Sequence, residues 1–263
     1  MSAMIRSATL AMVFTLFGFG SMACDKAEEE AKEDVLGTIS VNLDLNKKMI
    51  RTRETIVGNL ITDAIRAQFP DVQVAMINSG GLRFDETIHA DGMIPAGEFT
   101  ETMLQEIIPF DFDPDPAKRN SLIIVSVTGA HLKSVLERSV SSLNTPAAET
   151  KDEQKGWFLH ASGLIFMAEL PRQRQEVNLT TGEITKEGER IIEVKVGGQA
   201  LDLAATYRVV THDFVADGFD GHLAFKQGTG RAAAGKSSAD CLRAHLKSKG
   251  TLSPTLDGRI MLH

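Results

Sequence analysis

The chain has 263 residues, 43% of them hydrophobic, and 28 basic against 35 acidic side chains give it a formal charge of −7. That length leaves ample apolar material for a packed core. An acidic chain with no basic block argues against nucleic acid as a partner held through its phosphates.

Residues 1–23 carry one charge, Arg6, then an apolar run from Ala8 to Phe19 and small residues ending at Ala23. That order describes a secretory signal peptide, too short to span a membrane as a helix. Cys24 follows directly, with an acidic tether behind it that runs to about Gly37. A cysteine at this place resembles the lipid-modified cysteine of bacterial lipoproteins. Ser21 and Met22 stand where such signals usually carry Leu and a small residue, and plain cleavage to a soluble exported protein is the alternative. The expected organisation is a signal peptide over 1–23, an anchor cysteine and tether over 24–37, and a domain over 38–263. The expected location is the cell envelope or periplasm, with the membrane reached through a lipid anchor. With Cys24 lipidated, Cys241 has no disulfide partner. It reads as a buried small hydrophobe.

After the tether, Thr38 to Leu45 alternates and predicts a strand. Within Arg51 to Arg66, the pairs Ile56/Val57, Leu60/Ile61 and Ala64/Ile65 make an apolar stripe on a helix that stops before Pro70. Gly58 inside that stripe costs about 1 kcal/mol relative to Ala, which close packing against another backbone would explain. Val72 to Ile77 predicts a strand entering the core, followed by Asn78-Ser79-Gly80-Gly81-Leu82-Arg83. Two glycines at a strand end open conformations closed to other residues and allow close approach to a ligand. Asn78 and Arg83 supply an amide and a planar five-donor cation beside them.

Thr100 to Ile107 predicts a short helix, and Pro109-Phe110-Asp111-Phe112 a loop with two rings. Leu122 to Val127 predicts a strand, and Thr128-Gly129 opens a helix with Leu132, Val135, Leu136, Val140 and Leu143 on one face. Asn144 to Lys155 is expected to be an exposed loop. Trp157 to Met167 predicts a strand region bent at Ser162-Gly163. Ile191 to Val196 and Tyr207 to Thr211 are further strands, expected to be joined by a Gly197-Gly198 turn. The segment Thr211 to His222 is rich in Gly and Asp and follows a strand, where binding loops tend to sit. A helix over Ser237 to Lys247 and a strand over Gly258 to Leu262 close the chain. Helices and strands without strict alternation indicate an α+β fold with a mixed β-sheet packed with helices.

These segments occur in one order, from Arg51 through Asn78 to Arg83, Pro109-Phe110 and Thr128-Gly129 to Asp213 to Gly221. In order and wording they resemble the C-terminal domain of the 5'-nucleotidase and UDP-sugar hydrolase family, over roughly residues 38 to 262. The resemblance implies a substrate-binding domain that works beside a metallophosphoesterase domain holding two metals. It assigns Phe110 and Phe214 to stacking on a base, Asp220 to the ribose hydroxyls, Arg51 and Arg83 to the sugar-phosphate, and Asn78 to binding. Taken singly, each has an ordinary reading: core residues for the rings, a surface charge for Arg51, a turn former for Asp220.

The chain departs from the family pattern where Pro-Phe-Gly-Asn becomes Pro109-Phe110-Asp111-Phe112. It departs again where Gly-Gly-Asp-Gly becomes Gly218-Phe219-Asp220-Gly221. Asp111 is expected to bring negative charge near the base, and Phe219 to add bulk inside its loop. The sequence has no Asn-His-Asp/Glu, its seven histidines are scattered, and its one Asp-x-His, Asp220-Gly221-His222, falls in the loop that the resemblance assigns to the ribose. No catalytic residue and no metal or other cofactor is therefore expected in this chain, only in a separate phosphoesterase. Gly230 to Ser237 fits the phosphate-loop pattern letter for letter. Only 26 residues follow it, too few for the rest of a nucleotide-hydrolysing sheet, and it reads as a flexible loop capped by Ser237. The expected function is an exported domain that binds a nucleotide, nucleoside or nucleotide-sugar and acts with a metallophosphoesterase chain. The alternative is a non-enzymatic binding lipoprotein, or an interaction module that has lost the ligand.

Overall fold

The computed structural model describes residues 34–83, 91–145 and 150–263. The expected signal peptide, Cys24 and nearly all of the tether lie outside the described residues, as does Pro146.

The strand Val74–Asn78 is buried at all five positions, and its alternation explains how. Val74 and Met76 enter one apolar cluster, while Ala75 and Ile77 enter another on the opposite face. A strand covered on both faces reads as a continuous apolar run rather than an alternating one. It belongs to a five-stranded sheet ordered Thr229–Ala233, Leu122–Thr128, Thr206–His212, Val74–Asn78, Leu159–Ser162. Val74–Asn78 runs parallel to Thr206–His212, and the other pairs are antiparallel. The helices Ile56–Ala67 and Ser238–Lys249 contribute to the cluster on one face. The helix Gly129–Ser139 contributes to the other, together with a four-stranded sheet of Gln199–Ala200, Ile191–Val196, Leu164–Ala168 and Ile260–Leu262. A third sheet pairs Val35–Ile39 with Thr251–Leu252 and Gly97–Thr100. The fold is α+β with mixed sheets, as expected.

Several boundaries differ from the expectation. Thr38 to Leu45 is not one strand. Val35–Ile39 and Leu43–Asp44 join different sheets, although Ile39, Leu43 and Leu45 keep their buried alternation. Residues 35–37, assigned to the tether, are therefore paired strand. The long helix begins only at Ile56, where the Thr55 hydroxyl accepts the Gly58 N–H at 3.2 Å. Gly197 and Gly198, both with positive φ, close a hairpin between Ile191–Val196 and Gln199–Ala200. They do not connect to Thr206–His212, which lies in the other sheet. Asn144, Thr145 and Thr150 to Asp152 are exposed, as expected, while the buried Glu153 carboxylate accepts the Asn144 and Thr150 N–H groups at 2.9 Å. The phosphate-loop look-alike is half strand, Thr229–Ala233, on the sheet edge. Its Lys236 donates to Gln68 Oε1 at 2.9 Å and sits over the Phe69 ring. Ser237 does cap the following helix, in a reciprocal capping box with Asp240. Cys241 is fully buried, and burial pushes its thiol up to about 12.

Candidate ligand-binding site

Because Val74–Asn78 and Thr206–His212 are parallel, their last residues emerge at the same end of the sheet. Their antiparallel neighbours start there, since Leu122 pairs with His212 and Leu159 with Asn78. Four connections therefore meet at one edge: residues 79–83, 109–121, 156–158 and 213–221. Between them lies a cavity of about 520 Å³, within the usual range for small-molecule sites. All six residues singled out from the sequence line it: Arg51, Asn78, Arg83, Phe110, Phe214 and Asp220. Lys118, Asn120, Gly156 and Trp157 line it as well and were not anticipated. Trp157 is the chain's single tryptophan and carried the one composition signal that could have drawn attention to it.

The glycine turn folds as a single 3₁₀ turn, Ser79–Gly81, without the positive φ values the sequence suggested. Its glycines serve close approach instead. The Gly80 N–H donates to Gly156 O at 2.8 Å, and a Cβ on Gly80 would stand 3.1 Å from the Gly156 backbone. Arg83 leaves this turn, donates to the carbonyls of Gly80 and Leu82, and lies 4.8 Å from the centroid of the Phe110 ring.

Phe110 and Phe214 are 36% and 37% exposed, so neither is a core residue. Phe214 stands in the short helix Asp213–Ala216, and Phe219 stacks on it at 4.9 Å and 19°. Phe219 thus adds its bulk behind Phe214 and outside the cavity lining, which corrects the expectation of a filled loop. Each cavity ring has one face in contact, with Phe219 or with the Arg83 guanidinium. Both rings keep exposed area beyond those contacts. Asp111 corrects a second expectation, because it turns away from the cavity into the body of the protein. Its carboxylate accepts the Ala239 N–H at 2.9 Å, and burial pushes it up to about 6.

Asp220 adopts φ 56°, the one described non-glycine residue in the left-handed region, where Asp is tolerated better than most side chains. Gly218 and Gly221 flank it with φ 79° and 87°. The strained turn is held from below by Arg138, whose Nε donates to the Asp220 carbonyl at 2.7 Å. Arg138 is itself buried and lies 3.9 Å from the centroid of the Trp157 ring. Burial raises the Asp220 carboxyl, and Arg138 and Arg51 oppose that shift by favouring its charged form. Burial lowers Arg51, with Asp220 opposing. Arg51 donates to Gln154 O at 3.1 Å. The buried Arg51 Nε and Trp157 Nε1 have no acceptor among the described residues, an arrangement that costs free energy until an acceptor arrives. His160 and His222 are fully buried, held well below the usual imidazole range by burial, and donate Nε2–H to Ile50 O and Trp157 O. They are neutral supports rather than acids or bases.

The family described as "5'-nucleotidase, C-terminal domain" matches residues 35–227, well over half of the chain. The chain belongs to that family. A trifunctional nucleotide phosphoesterase, YfkN, from Bacillus subtilis is 27% identical over 241 residues, 88% of this chain and 14% of that protein. The cell wall protein Lmo0130 of Listeria monocytogenes is 29% identical over 220 residues, 76% of this chain and 24% of that protein. The solved 5'-nucleotidase precursor of Thermus thermophilus superposes with a TM-score of 0.68 at 30% identity, covering 87% of this chain and 39% of that one. The chain thus spans well under half the length of these relatives. In each, the matching segment is one part of a larger protein.

Proposed function

We propose that this chain is an exported, lipid-anchored domain that binds a nucleotide, nucleoside or nucleotide-sugar for a metallophosphoesterase carried on another chain. The observation that carries the reading is the composition of the cavity at the sheet edge. Two half-exposed aromatic rings, each backed on one face, suit a planar base, which stacks for about 1–3 kcal/mol per ring in comparable sites. Three cations, Arg51, Arg83 and Lys118, suit the anionic end of a nucleotide, and the Asp220 carboxylate can accept hydrogen bonds from a vicinal diol.

Hydrolysis by two metals needs carboxylates, histidines and asparagine converging on both ions. Among the described residues no group of three or more His, Cys, Asp or Glu side chains could hold a metal ion. The residues present do not fit such a centre, and no hydrolytic step is assigned to them. The reading places the chemistry on a partner, for which the cavity presents the substrate.

Calorimetric titration of the full chain with AMP, adenosine and inorganic phosphate tests the binding reading. AMP is expected to bind more tightly than adenosine, and phosphate alone weakly. An absence of binding by both AMP and adenosine would overturn it.

Export rests on residues 1–24, and a cell wall relative agrees with an envelope location. Expressed in bacteria, the protein is expected to incorporate radioactive palmitate, and Cys24→Ser to abolish the label. Labelling that persists in Cys24→Ser removes the anchor from the proposal.

A further inference from the structure

The two ring-bearing segments share an anchor that the cavity itself does not reveal. Phe110 precedes Asp111 in the 3₁₀ turn Pro109–Phe112. Phe214 follows His212, the last residue of its strand, by two positions. Both Asp111 and His212 are buried, and both reach the first turn of the helix Ser238–Lys249. Asp111 accepts the Ala239 N–H at 2.9 Å and also the Ser238 N–H, while His212 Nε2 lies 2.8 Å from Ser238 Oγ. The Asn120 side chain, which lines the cavity, hydrogen-bonds to the same Asp111 carboxylate.

We propose that Asp111 is a positioning residue for Phe110: its carboxylate fastens the Pro109–Phe112 turn to the start of the Ser238–Lys249 helix and so sets where the ring stands in the cavity wall. The physical basis is direct. A short 3₁₀ turn has little hydrogen bonding of its own, and Phe110 is left 36% exposed. Free N–H groups at a helix start are strong, directional partners for a carboxylate, aided by the helix dipole. Three hydrogen bonds to one buried carboxylate define the position of the residue beside it. The ring then meets a ligand without first being ordered, which removes part of the entropic cost of binding.

The anchor is also a burden on the fold. With its ionisation pushed up to about 6, Asp111 favours the folded state most below the ordinary carboxyl range, and that contribution is lost as pH rises through about 6. The neighbouring groups do not reverse this. Asp240 on the same helix raises Asp111 further. Arg243 is taken up by Glu101 and Asp240 at 2.6 and 2.9 Å. Cys241 is an un-ionised thiol, and His212 is kept neutral by burial. A group retained for stability alone would not cost stability at neutral pH.

The inference rests on the nucleotide-binding reading for its affinity readout, so the test has a second arm that needs no ligand. In the first arm, AMP is titrated into the full chain as wild type, Asp111→Ala, Asp111→Asn, Phe110→Ala and the Phe110→Ala/Asp111→Ala double variant. Asp111→Ala is expected to weaken AMP about tenfold, in the range set by losing hydrogen bonds to a charged group. Asp111→Asn, which keeps an acceptor, should stay within about twofold, and should melt higher than wild type at pH 7.5 but not at pH 4. In the Phe110→Ala background, Asp111→Ala should cost less than about twofold, because the ring it positions is gone. An equal loss in both backgrounds, or none in either, overturns the proposal. In the second arm, 4-fluorophenylalanine replaces Phe110 and its fluorine resonance is followed. One narrow line is expected for wild type and Asp111→Asn at pH 7.5, with multiple broad lines for Asp111→Ala. The wild-type line should stay narrow as pH falls through about 6, because the protonated carboxyl, like the Asn amide, keeps an acceptor for the helix N–H groups. A line as narrow in Asp111→Ala as in wild type sinks the inference, and Asp111→Leu, which also lacks an acceptor, gives the same reading should Asp111→Ala fail to fold. If AMP does not bind, the nucleotide reading falls and the fluorine arm still decides this one.

Discussion

Replacing Phe110 by Ala is expected to weaken AMP binding by about 1–3 kcal/mol, roughly a 5- to 150-fold rise in Kd, while leaving the fold nearly unchanged. The two halves of that expectation come from one observation. A ring that is 36% exposed has accessible area to offer a base, and it contributes less to the core than a buried Phe. Removing a fully buried Phe costs about 3–5 kcal/mol of stability, so thermal melts separate the two roles. Phe214→Ala should lose less affinity than Phe110→Ala. Phe219 is stacked directly behind Phe214, and its ring face becomes available once Phe214 is truncated. Phe214→Ala/Phe219→Ala should then lose the remainder. Calorimetry and melting on these three variants check the set. A large fall in melting temperature with unchanged AMP affinity would return both rings to an ordinary packing role.

A large stability effect is expected at Gly58. A Cβ at that position would lie 2.1 Å from His160 Nδ1, far inside contact distance, in the middle of the helix Ile56–Ala67. The sequence suggested close packing against a backbone, and the neighbour is in fact an imidazole. His160 has no room to yield. It is fully buried and donates Nε2–H to Ile50 O at 2.8 Å. Gly58→Ala should therefore cost about 2–4 kcal/mol, the sum of overpacking and one strained buried hydrogen bond. For a chain of this size that lowers Tm by roughly 5–15 °C. Ile50 precedes Arg51, so displacing His160 should also weaken AMP binding through the guanidinium that lines the cavity. His160→Ala vacates the space, and in that background Gly58→Ala should lose most of its cost and gain helix propensity. Equal melting temperatures for wild type and Gly58→Ala would refute this account of the glycine.

Much of the fold follows from local pattern, because periodicity is a direct image of which faces are buried. The stripe at Ile56, Val57, Leu60, Ile61, Ala64 and Ile65 and the caps at Thr55, Thr128 and Ser237 all lie where the chain's own chemistry puts them. The six candidate residues were legible for a different reason. They sit on spaced motifs whose shared order is far more specific than any one turn.

What the sequence could not decide is everything that depends on which strand pairs with which. Ile191–Val196 and Thr206–His212 look alike in sequence yet enter different sheets, and the Gly197-Gly198 turn serves only the first. Asp111 and Phe219 read as intruders in a binding loop. Only the packed structure turns one toward a helix start and sets the other behind Phe214. Trp157, Asn120 and Arg138 carry no motif, and they join the site because separate connections meet at one edge of the five-stranded sheet. Side-chain type and spacing are local properties, readable one segment at a time. The direction a side chain takes is set by the partners its strand or helix acquires, and those come from distant parts of the chain.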